Sequence, residues 1–303
     1  MIAFPTSELL SSQLPAHTGG IEGPWWLAWN ADVQVLLPAA ILVGLYLRGL
    51  RGMERPHRWW QTALFLTGVV VVLAALQSPI DRLGEHHFTF HMLQHELITA
   101  VGVPFVLLGA PTTPVLLGLP AGLRQDVIRP LAGSTVLHRV FGFLTHPVVA
   151  VLHLLVATVF WHLPGPFDAA LRNDLVHDTQ HLSFLLGGSL FWWNVIDPAP
   201  LRSRLTYPLR IVYLLPGMAL RVALGAFLTF SSVPWYSTYL EVRPFIPLTP
   251  LEDQQLGGIL MWVPGELWNV GIIGILFAVW VRKSQQPAGE VEPLVARRRR
   301  IEV

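Results

Sequence analysis

The chain has 303 residues, of which 52% are hydrophobic and only 13% charged, with a net charge of +1 and a mean hydropathy of +0.51. Because soluble domains carry about 25% charged residues, this composition excludes an ordinary soluble domain and indicates a membrane protein. The absence of cysteine excludes disulfides, thiolate metal sites, iron–sulfur clusters and cysteine nucleophiles. A bound metal would have to use nitrogen, oxygen or thioether sulfur ligands.

Seven apolar segments follow one another along the chain. They cover about residues 31–47, 59–76, 86–108, 146–161, 177–196, 208–230 and 256–281. Each is close to the length that crosses about 30 Å of hydrocarbon as a helix. We therefore predict an all-α, polytopic membrane protein, a bundle of seven transmembrane helices. Four prolines inside the segments predict kinks, namely Pro38, Pro104, Pro216 and Pro264.

The basic residues predict the orientation of the chain and its boundaries. Most of the 20 Lys and Arg residues lie in the loops after the first, third and fifth segments and in the tail. Such residues concentrate on the cytoplasmic side of a membrane, and residues 1–23 lack the pattern of a cleaved signal peptide. We predict an extracytoplasmic N-terminal segment at 1–30, a transmembrane domain at 31–283 and a cytoplasmic basic tail at 284–303.

Histidines form two short patterns at the outer ends of the third and fifth segments. In a helix, His87, His91 and His95 would lie four residues apart on one face. His177 and His181 repeat this spacing in the fifth segment. Two imidazoles four residues apart on a helix can bind one metal ion. The two patterns therefore predict a metal site, provided that the two helices meet.

The nature of the side chains narrows the choice of metal. The predicted ligands are His91, His95, His177 and His181, with His87, His162, Met261 and Met92 as further candidates in the outer third of the membrane. Asp178 and Gln94 are expected to orient imidazoles rather than to bind metal. Imidazole suits zinc, copper, iron and nickel, and a thioether favours copper, so copper is the first expectation and zinc the alternative. The zincin motif H-E-x-x-H is absent.

Three charged side chains lie deeper in the apolar segments. Glu96, Arg221 and Glu266 are each about ten residues from a segment end, where an unpaired ion costs several kcal/mol. We expect Arg221 to pair with Glu266, with Glu96 or with both, and so to connect the third, sixth and seventh segments. A structural ion pair is the first interpretation of these residues, and a proton path is the second.

The order of several motifs resembles that of one protein family. His91-Met92-Leu93-Gln94-His95 is followed by Gly109-Ala110-Pro111, Trp161-His162-Leu163-Pro164, His177-x-x-x-His181 and Phe191-Trp192-Trp193. Over about residues 25–281, this succession is similar to the CtaG family of bacterial cytochrome c oxidase assembly factors, the polytopic family of that name. Its specificity lies in the order and spacing of the motifs, because none of them is decisive alone.

The resemblance implies a multi-pass protein of the bacterial plasma membrane that helps to insert copper into a haem-copper oxidase. It implies metal binding by the four histidines of the two pairs, and no enzymatic activity. The implied partners are a cytochrome c oxidase subunit, a copper donor outside the membrane and the lipid bilayer. Nucleic acid is not an expected partner, because the basic loops and tail are explained as topology signals and lipid contacts.

Two functions of other classes stay open. An intramembrane zinc hydrolase would use the same histidines together with Asp178 to activate water. A copper permease would need polar ligands that continue to the inner side of the membrane. The third segment is apolar from Leu97 to Leu108, which argues against such a path, whereas His153, Glu96 and Glu266 keep it open.

Overall fold

The computed structural model describes residues 24–54, 57–198 and 203–285. Within these ranges every regular element is a helix and no strand is formed, so the all-α prediction is confirmed. Most of the predicted N-terminal segment and of the basic tail lie outside the described residues. The three predicted boundaries therefore stay predictions.

The described part of the chain contains fourteen α-helices. In chain order they are α1 (Val33–Leu50), α2 (Trp59–Gln77), α3 (Pro79–Gly84), α4 (Phe88–Glu96), α5 (Val103–Leu108), α6 (Thr112–Gly118), α7 (Arg129–Gly133), α8 (Thr135–Leu144), α9 (Pro147–His162), α10 (Pro164–Arg172), α11 (Asp174–Ile196), α12 (Tyr207–Phe230), α13 (Thr238–Glu241) and α14 (Pro250–Ser284). A wide π-helical turn, Leu97–Gly102, joins α4 to α5. A second such turn, Leu123–Ile128, precedes α7.

Five helical runs are long and apolar enough to cross a membrane. They are α1, α2, the continuous run from α4 to α5, α12 and α14, and a sixth is reached if α8 and α9 form one span bent by 57°. The predicted number of seven spans is therefore not confirmed, and the orientation stays a prediction. The fifth predicted segment forms α11, whose N-terminal half carries His177, Asp178, Gln180 and His181. These polar side chains lower the hydropathy of a helix that is otherwise long enough.

The prolines lie where a membrane helix tolerates them. Pro38, Pro216 and Pro264 are inside α1, α12 and α14, as the segment boundaries predicted. Pro104 lies in the first turn of α5, directly after the wide turn. Within the continuous run from α4 to α5, Pro104 has no N–H to donate to the preceding turn, and the wide turn directly before it is where the hydrogen-bond pattern of the helix changes.

The wide turn Leu97–Gly102 links the third predicted segment to α11. The indole N–H of Trp192 on α11 donates to the carbonyl oxygen of Thr99 in the turn, at 2.7 Å. The Thr99 hydroxyl in turn donates to the carbonyl oxygen of His95, also at 2.7 Å. Turns of this type frequently occur at functional sites. Here the turn ties α11 to the helix directly after its histidines.

The remaining packing gathers five helices around a common interior. α12 runs along α14, α14 also contacts α4, and α11 contacts both α9 and α5. The backbones of α12 and α14 approach closely at Gly225 and Gly258, where a Cβ on Gly258 would lie 2.8 Å from the Gly225 carbonyl oxygen. Such contacts between small residues stabilise helix pairs in membranes. The interior between α4, α9, α11, α12 and α14 contains the candidate site.

Candidate metal centre

The two predicted histidine pairs face each other across the contact between α4 and α11. The ring centroids of His91 and His95 on α4 are 4.4 Å apart, and those of His177 and His181 on α11 are 4.2 Å apart. Between the helices, His91 lies 5.5 Å from His177, and His95 lies 5.6 Å from His181. These four rings form one group, which we call the histidine cluster.

Three members of the histidine cluster are buried, and two have unpaired nitrogens. His91, His95 and His181 are 1%, 6% and 8% exposed, whereas His177 is only partly buried. In the part of the chain that the structure describes, Nε2 of His91 and both ring nitrogens of His95 have no hydrogen-bond partner. Most buried polar atoms are paired, and an unpaired one costs about 1–3 kcal/mol. A metal ion, which accepts nitrogen lone pairs, fits these side chains.

The spacing of the rings suits a shared ion, although the donor atoms do not yet converge. A ligand nitrogen lies about 2 Å from its metal and the ring centre about 1 Å further, which puts tetrahedrally arranged rings about 5 Å apart. Within each pair, and between His91 or His95 and the rings of α11 that they face, the separations range from 4.2 to 6.4 Å. As the side chains stand, no three His, Asp or Glu groups of the described residues surround one point closely enough to hold an ion. Binding therefore requires the rings to rotate about their side-chain bonds.

The start of α4 is fixed by α14. The backbone N–H groups of Phe88 and Thr89 donate to the carboxylate of Asp253 at 2.6 and 3.2 Å, and the Thr89 hydroxyl donates to the Asp253 carbonyl oxygen at 3.0 Å. The first N–H groups of a helix need such acceptors. Asp253 therefore caps α4 from another helix and sets the position of His91 and His95. Nothing in the local sequence around Asp253 indicates this contact.

His87 lies apart from the histidine cluster. The sequence placed it on the same helical face as His91 and His95, but α4 begins at Phe88, so this prediction is wrong. Its Nε2 accepts the backbone N–H groups of Phe245 and Ile246 at 2.9 and 3.2 Å. Its Nδ1 lies 3.6 Å from the Asp253 carboxylate. Both ring nitrogens are thus engaged within the protein, and we omit His87 from the proposed metal ligands.

Gln94 connects the histidine cluster to a buried carboxylate. Its Nε2 donates to Asp81 Oδ1 at 2.6 Å and to the carbonyl oxygen of Ala75 at 3.1 Å. Because the Ala75 carbonyl only accepts, Nε2 of Gln94 must face it, and the amide oxygen of Gln94 then faces Nε2 of His181, which lies 3.2 Å away. Nε2 of His181 therefore carries the proton, and its Nδ1 is left to bind a metal. Gln94 therefore contacts one ring of the histidine cluster, and its role in orienting a metal ligand stays a prediction.

Asp81 is the last residue in the hydrogen-bond chain that begins at His181 and passes through Gln94. No pattern in the sequence indicated a role for Asp81. Its second carboxylate oxygen accepts from Asn30 Nδ2 at 2.5 Å. Burial raises the pKa of Asp81 to about 7, although the hydrogen bond from Gln94 acts in the opposite direction. Asp178, which was expected to orient an imidazole, instead accepts from Gln34 Nε2 of α1 at 3.0 Å. That expectation is wrong because Asp178 is on the exposed side of α11.

The further candidates His162, Met92 and Met261 line a cavity beside the histidine cluster. The cavity has a volume of about 70 Å³, and His95 lines it as well. His162 ends α9, and its Nδ1 donates to the Thr158 carbonyl oxygen at 2.7 Å. The structure therefore places these three candidates next to the histidine cluster, where they line the cavity.

The deep charges form one ion pair. Arg221 Nη1 lies 2.8 Å from Oε2 and 3.1 Å from Oε1 of Glu96, which joins α12 to α4. The guanidinium packs on Gly265 of α14, where an added Cβ would lie 2.5 Å from Nη1. The sequence predicted that Arg221 pairs with Glu266, with Glu96 or with both. In the structure Arg221 forms its hydrogen bonds with Glu96. The carboxylate oxygens of Glu266 are buried, and the side chain of Asn269 lies beside this group.

Taken together, the long apolar helices and their polar interior define a multi-pass membrane protein with a buried histidine cluster between two helices. Residues 44–283 match the model of a family described as cytochrome c oxidase caa3 assembly factor, Caa3_CtaG. The matched range covers most of the chain and includes every residue of the cluster and the cavity. The chain therefore belongs to this family, whose function is the assembly of cytochrome c oxidase, and the resemblance seen in the sequence is confirmed.

Similar proteins occur in mycobacteria. The chain is 28% identical over 275 residues to an uncharacterized protein of Mycobacterium bovis and to one of Mycobacterium tuberculosis, with 86% of this chain and 40% of each relative covered. An uncharacterized protein of Mycobacterium leprae is 28% identical over 274 residues, covering 87% of this chain and 41% of that protein. The chain thus spans about two fifths of the length of these relatives. No solved structure matches it.

Proposed function

We propose that the protein binds copper at the histidine cluster, on the outer side of the bacterial plasma membrane, and assists its delivery to cytochrome c oxidase. The observation that carries this proposal is the meeting of the two histidine pairs, in which ring centroids from different helices lie 5.5 to 6.4 Å apart for three of the ring pairs. The family supplies the process, the assembly of a copper-containing oxidase. In this proposal copper is the cargo of the protein and not the cofactor of an enzyme.

The donor set of the site favours copper. Imidazoles suit both copper and zinc, and the thioethers of Met92 and Met261, which line the adjoining cavity, favour copper. Transfer also requires a ligand set that can release the ion. Imidazoles bind metal only when neutral, so affinity depends on proton concentration, and the chain has no thiolate that would hold copper more tightly.

The position of the cluster suits an exchange of copper with other proteins. His177 is partly exposed, although its Nε2 is buried, whereas His91 and His95 are buried as whole residues, so the cluster comes closest to the surface at His177. A copper donor outside the membrane would reach His177 first. The acceptor would be an oxidase subunit in the same bilayer.

The alternative functions have less support from the geometry. A zinc hydrolase needs a carboxylate beside the metal as acid and base, but Asp178 is hydrogen-bonded to Gln34 on the exposed side of α11. A permease needs ligands that continue across the membrane. The cavity beside the cluster is lined by Glu96 and Arg221, but these two side chains are paired with each other.

Metal analysis of the purified protein tests the proposal. We expect about one copper per chain in the wild type at the cluster, and its loss in the variant His91→Ala/His95→Ala. His138→Ala is the matched control, because His138 is exposed on α8 and its Nδ1 contacts the Ser134 carbonyl oxygen. Equal copper in the two variants would contradict the proposal. Tightly bound zinc together with hydrolysis of a lipid amide would favour the enzyme instead.

A further inference from the structure

The cavity beside the histidine cluster has features of a second metal position. It measures about 70 Å³ and lies between α4, α9, α11, α12 and α14. A water molecule needs only about 10–15 Å³ of such volume, so a cation and a water fit together. His95 belongs to the cluster and also lines the cavity, so that an ion could pass between the two without leaving a nitrogen ligand.

His162 offers a lone pair to this cavity. Its Nδ1 contacts the carbonyl oxygen of Thr158 at 2.7 Å, and because a carbonyl only accepts, Nδ1 must carry the proton. Nε2 therefore has the lone pair, lies in a residue that is 9% exposed, and has no hydrogen-bond partner among the described residues. A second contact fixes this end of α9, since the Tyr236 hydroxyl donates to the His162 carbonyl oxygen at 3.0 Å.

Sulfur is concentrated in the same place. The chain has 5 methionines, and Met92, Met218 and Met261 all line the cavity. Met92 and Met261 are also buried among aromatic side chains, such as Phe88 and Phe167, which would by itself explain them as packing. Packing does not explain why two unpaired imidazoles face the same space. Together these side chains form a donor set of neutral nitrogen and soft sulfur.

We propose that this cavity is a second copper position, selective for Cu(I), in which His162, Met92 and Met261 bind the ion together with His95. This inference rests on the proposed function, because it describes the step that follows capture at the histidine cluster. Thioether sulfur prefers Cu(I) to zinc or Cu(II). The cluster would then accept copper, and the cavity would select its reduced form before transfer.

The charges around the cavity also favour a monovalent ion. The proposed ligands are all neutral, and the two charged residues that line the cavity, Glu96 and Arg221, neutralise each other at 2.8 Å. Glu266 interacts with this pair but does not line the cavity. An ion in this position keeps its full charge, and the cost of burying a charge in a medium of low dielectric grows with the square of that charge. A monovalent cation therefore enters at a lower cost than a divalent one.

The test compares metals as well as variants. Full-length protein in detergent is titrated without oxygen with Cu(I) against the competing chelator bicinchoninate, and separately with Zn(II). We expect Met92→Leu/Met261→Leu to lower the Cu(I) affinity by about tenfold or more and to leave the Zn(II) affinity within about twofold. Met53→Leu is the matched control, since Met53 lies in the loop between α1 and α2. Leu preserves the volume of Met, so folding is expected to be retained.

X-ray absorption of the Cu(I)-loaded protein provides the second measurement. We expect scattering from sulfur next to copper in the wild type and in Met53→Leu, and its loss in Met92→Leu/Met261→Leu. Nitrogen ligands alone in the wild type, with an unchanged Cu(I) affinity in the double variant, would overturn the second position and leave the histidine cluster intact. A wild-type protein that binds no Cu(I) would overturn the second position, and one that also holds no copper in the metal analysis would contradict the histidine cluster as well.

Discussion

His87 and His95 are only eight positions apart in the sequence, and both are buried, with 1% and 6% of their surfaces exposed. They differ in whether their ring nitrogens have partners within the protein. The nitrogens of His87 contact two backbone N–H groups and the Asp253 carboxylate. Those of His95 have no partner in the described part of the molecule. Burial alone therefore does not distinguish a structural histidine from a ligand. What distinguishes them is whether the protein itself satisfies the ring nitrogens.

The largest expected effects come from replacing each of these two histidines by leucine, because the two variants should lose different properties. His95→Leu should lower copper affinity by about a hundredfold and leave stability unchanged or increased, because it removes unpaired buried nitrogens. His87→Leu should leave copper affinity unchanged and lower the free energy of unfolding by about 2 kcal/mol, since two backbone N–H groups lose their acceptor. Denaturant titration and a copper competition assay on both variants measure the two quantities. Equal loss of copper binding in both variants would contradict the assignment of His95 as a ligand and His87 as a structural residue.

A second prediction concerns the cap that positions α4. Asp253→Ala should lower the free energy of unfolding by about 2 kcal/mol, because the N–H groups of Phe88 and Thr89 lose a buried acceptor. Glu241→Ala is the control, because Glu241 forms an exposed ion pair with Arg172 that contributes at most about 1 kcal/mol. Thermal unfolding in detergent compares the two. A smaller effect for Asp253 than for Glu241 would show that the cap does not hold α4.

The connection through Gln94 should have a smaller effect on copper. Gln94→Leu should lower copper affinity by about tenfold, because Nε2 of His181 loses the acceptor that fixes its proton. The effect should disappear when Gln94→Leu is introduced into His181→Ala, since Gln94 acts through that ring. Competition titrations of the two single variants and the double variant measure this. If Gln94→Leu lowers copper affinity by the same factor in the His181→Ala background, then Gln94 does not act through His181.

The smallest expected effect is on the pH dependence of stability. Burial raises the pKa of Asp81 to about 7, whereas an Asp in an unfolded chain titrates near 4. The folded state therefore binds the proton more tightly, and this contribution to stability is lost as the pH rises from about 4 to about 7. Asp81→Asn should flatten the change in melting temperature between pH 5 and pH 8. An Asn can keep the bond from Gln94 if Asn30 turns its amide. If the melting temperature of Asp81→Asn changes with pH as much as that of the wild type, the raised pKa of Asp81 would be contradicted.

The helical class and the two histidine pairs could be predicted because they depend on local patterns. Composition indicates a membrane protein, and a spacing of four residues places His91 next to His95 and His177 next to His181. The meeting of the pairs required only that α4 and α11 be neighbours. Hydropathy was less reliable for the number of spans, because α11 combines the length of a span with a polar N-terminal half.

The remaining features depend on contacts between residues far apart in the chain. Asp253 caps α4 from a distance of 165 positions in the sequence, and no periodic pattern marks such a residue. The helix start at Phe88, which separates His87 from the cluster, follows from this cap. Asp81 was missed for a similar reason, since its contact with Gln94 crosses a helix boundary. The orientation of Asp178 toward Gln34 likewise depends on where α1 packs.

The central claim is that rings from α4 and α11 bind the same copper ion. The most direct measurement is a double-mutant cycle of copper affinity with His91→Ala, His181→Ala and the combination, in which each partner comes from a different helix. If both rings bind one ion, the losses should depart from additivity by at least about 1 kcal/mol. Losses that add to within about 0.5 kcal/mol would mean independent sites and would contradict the claim.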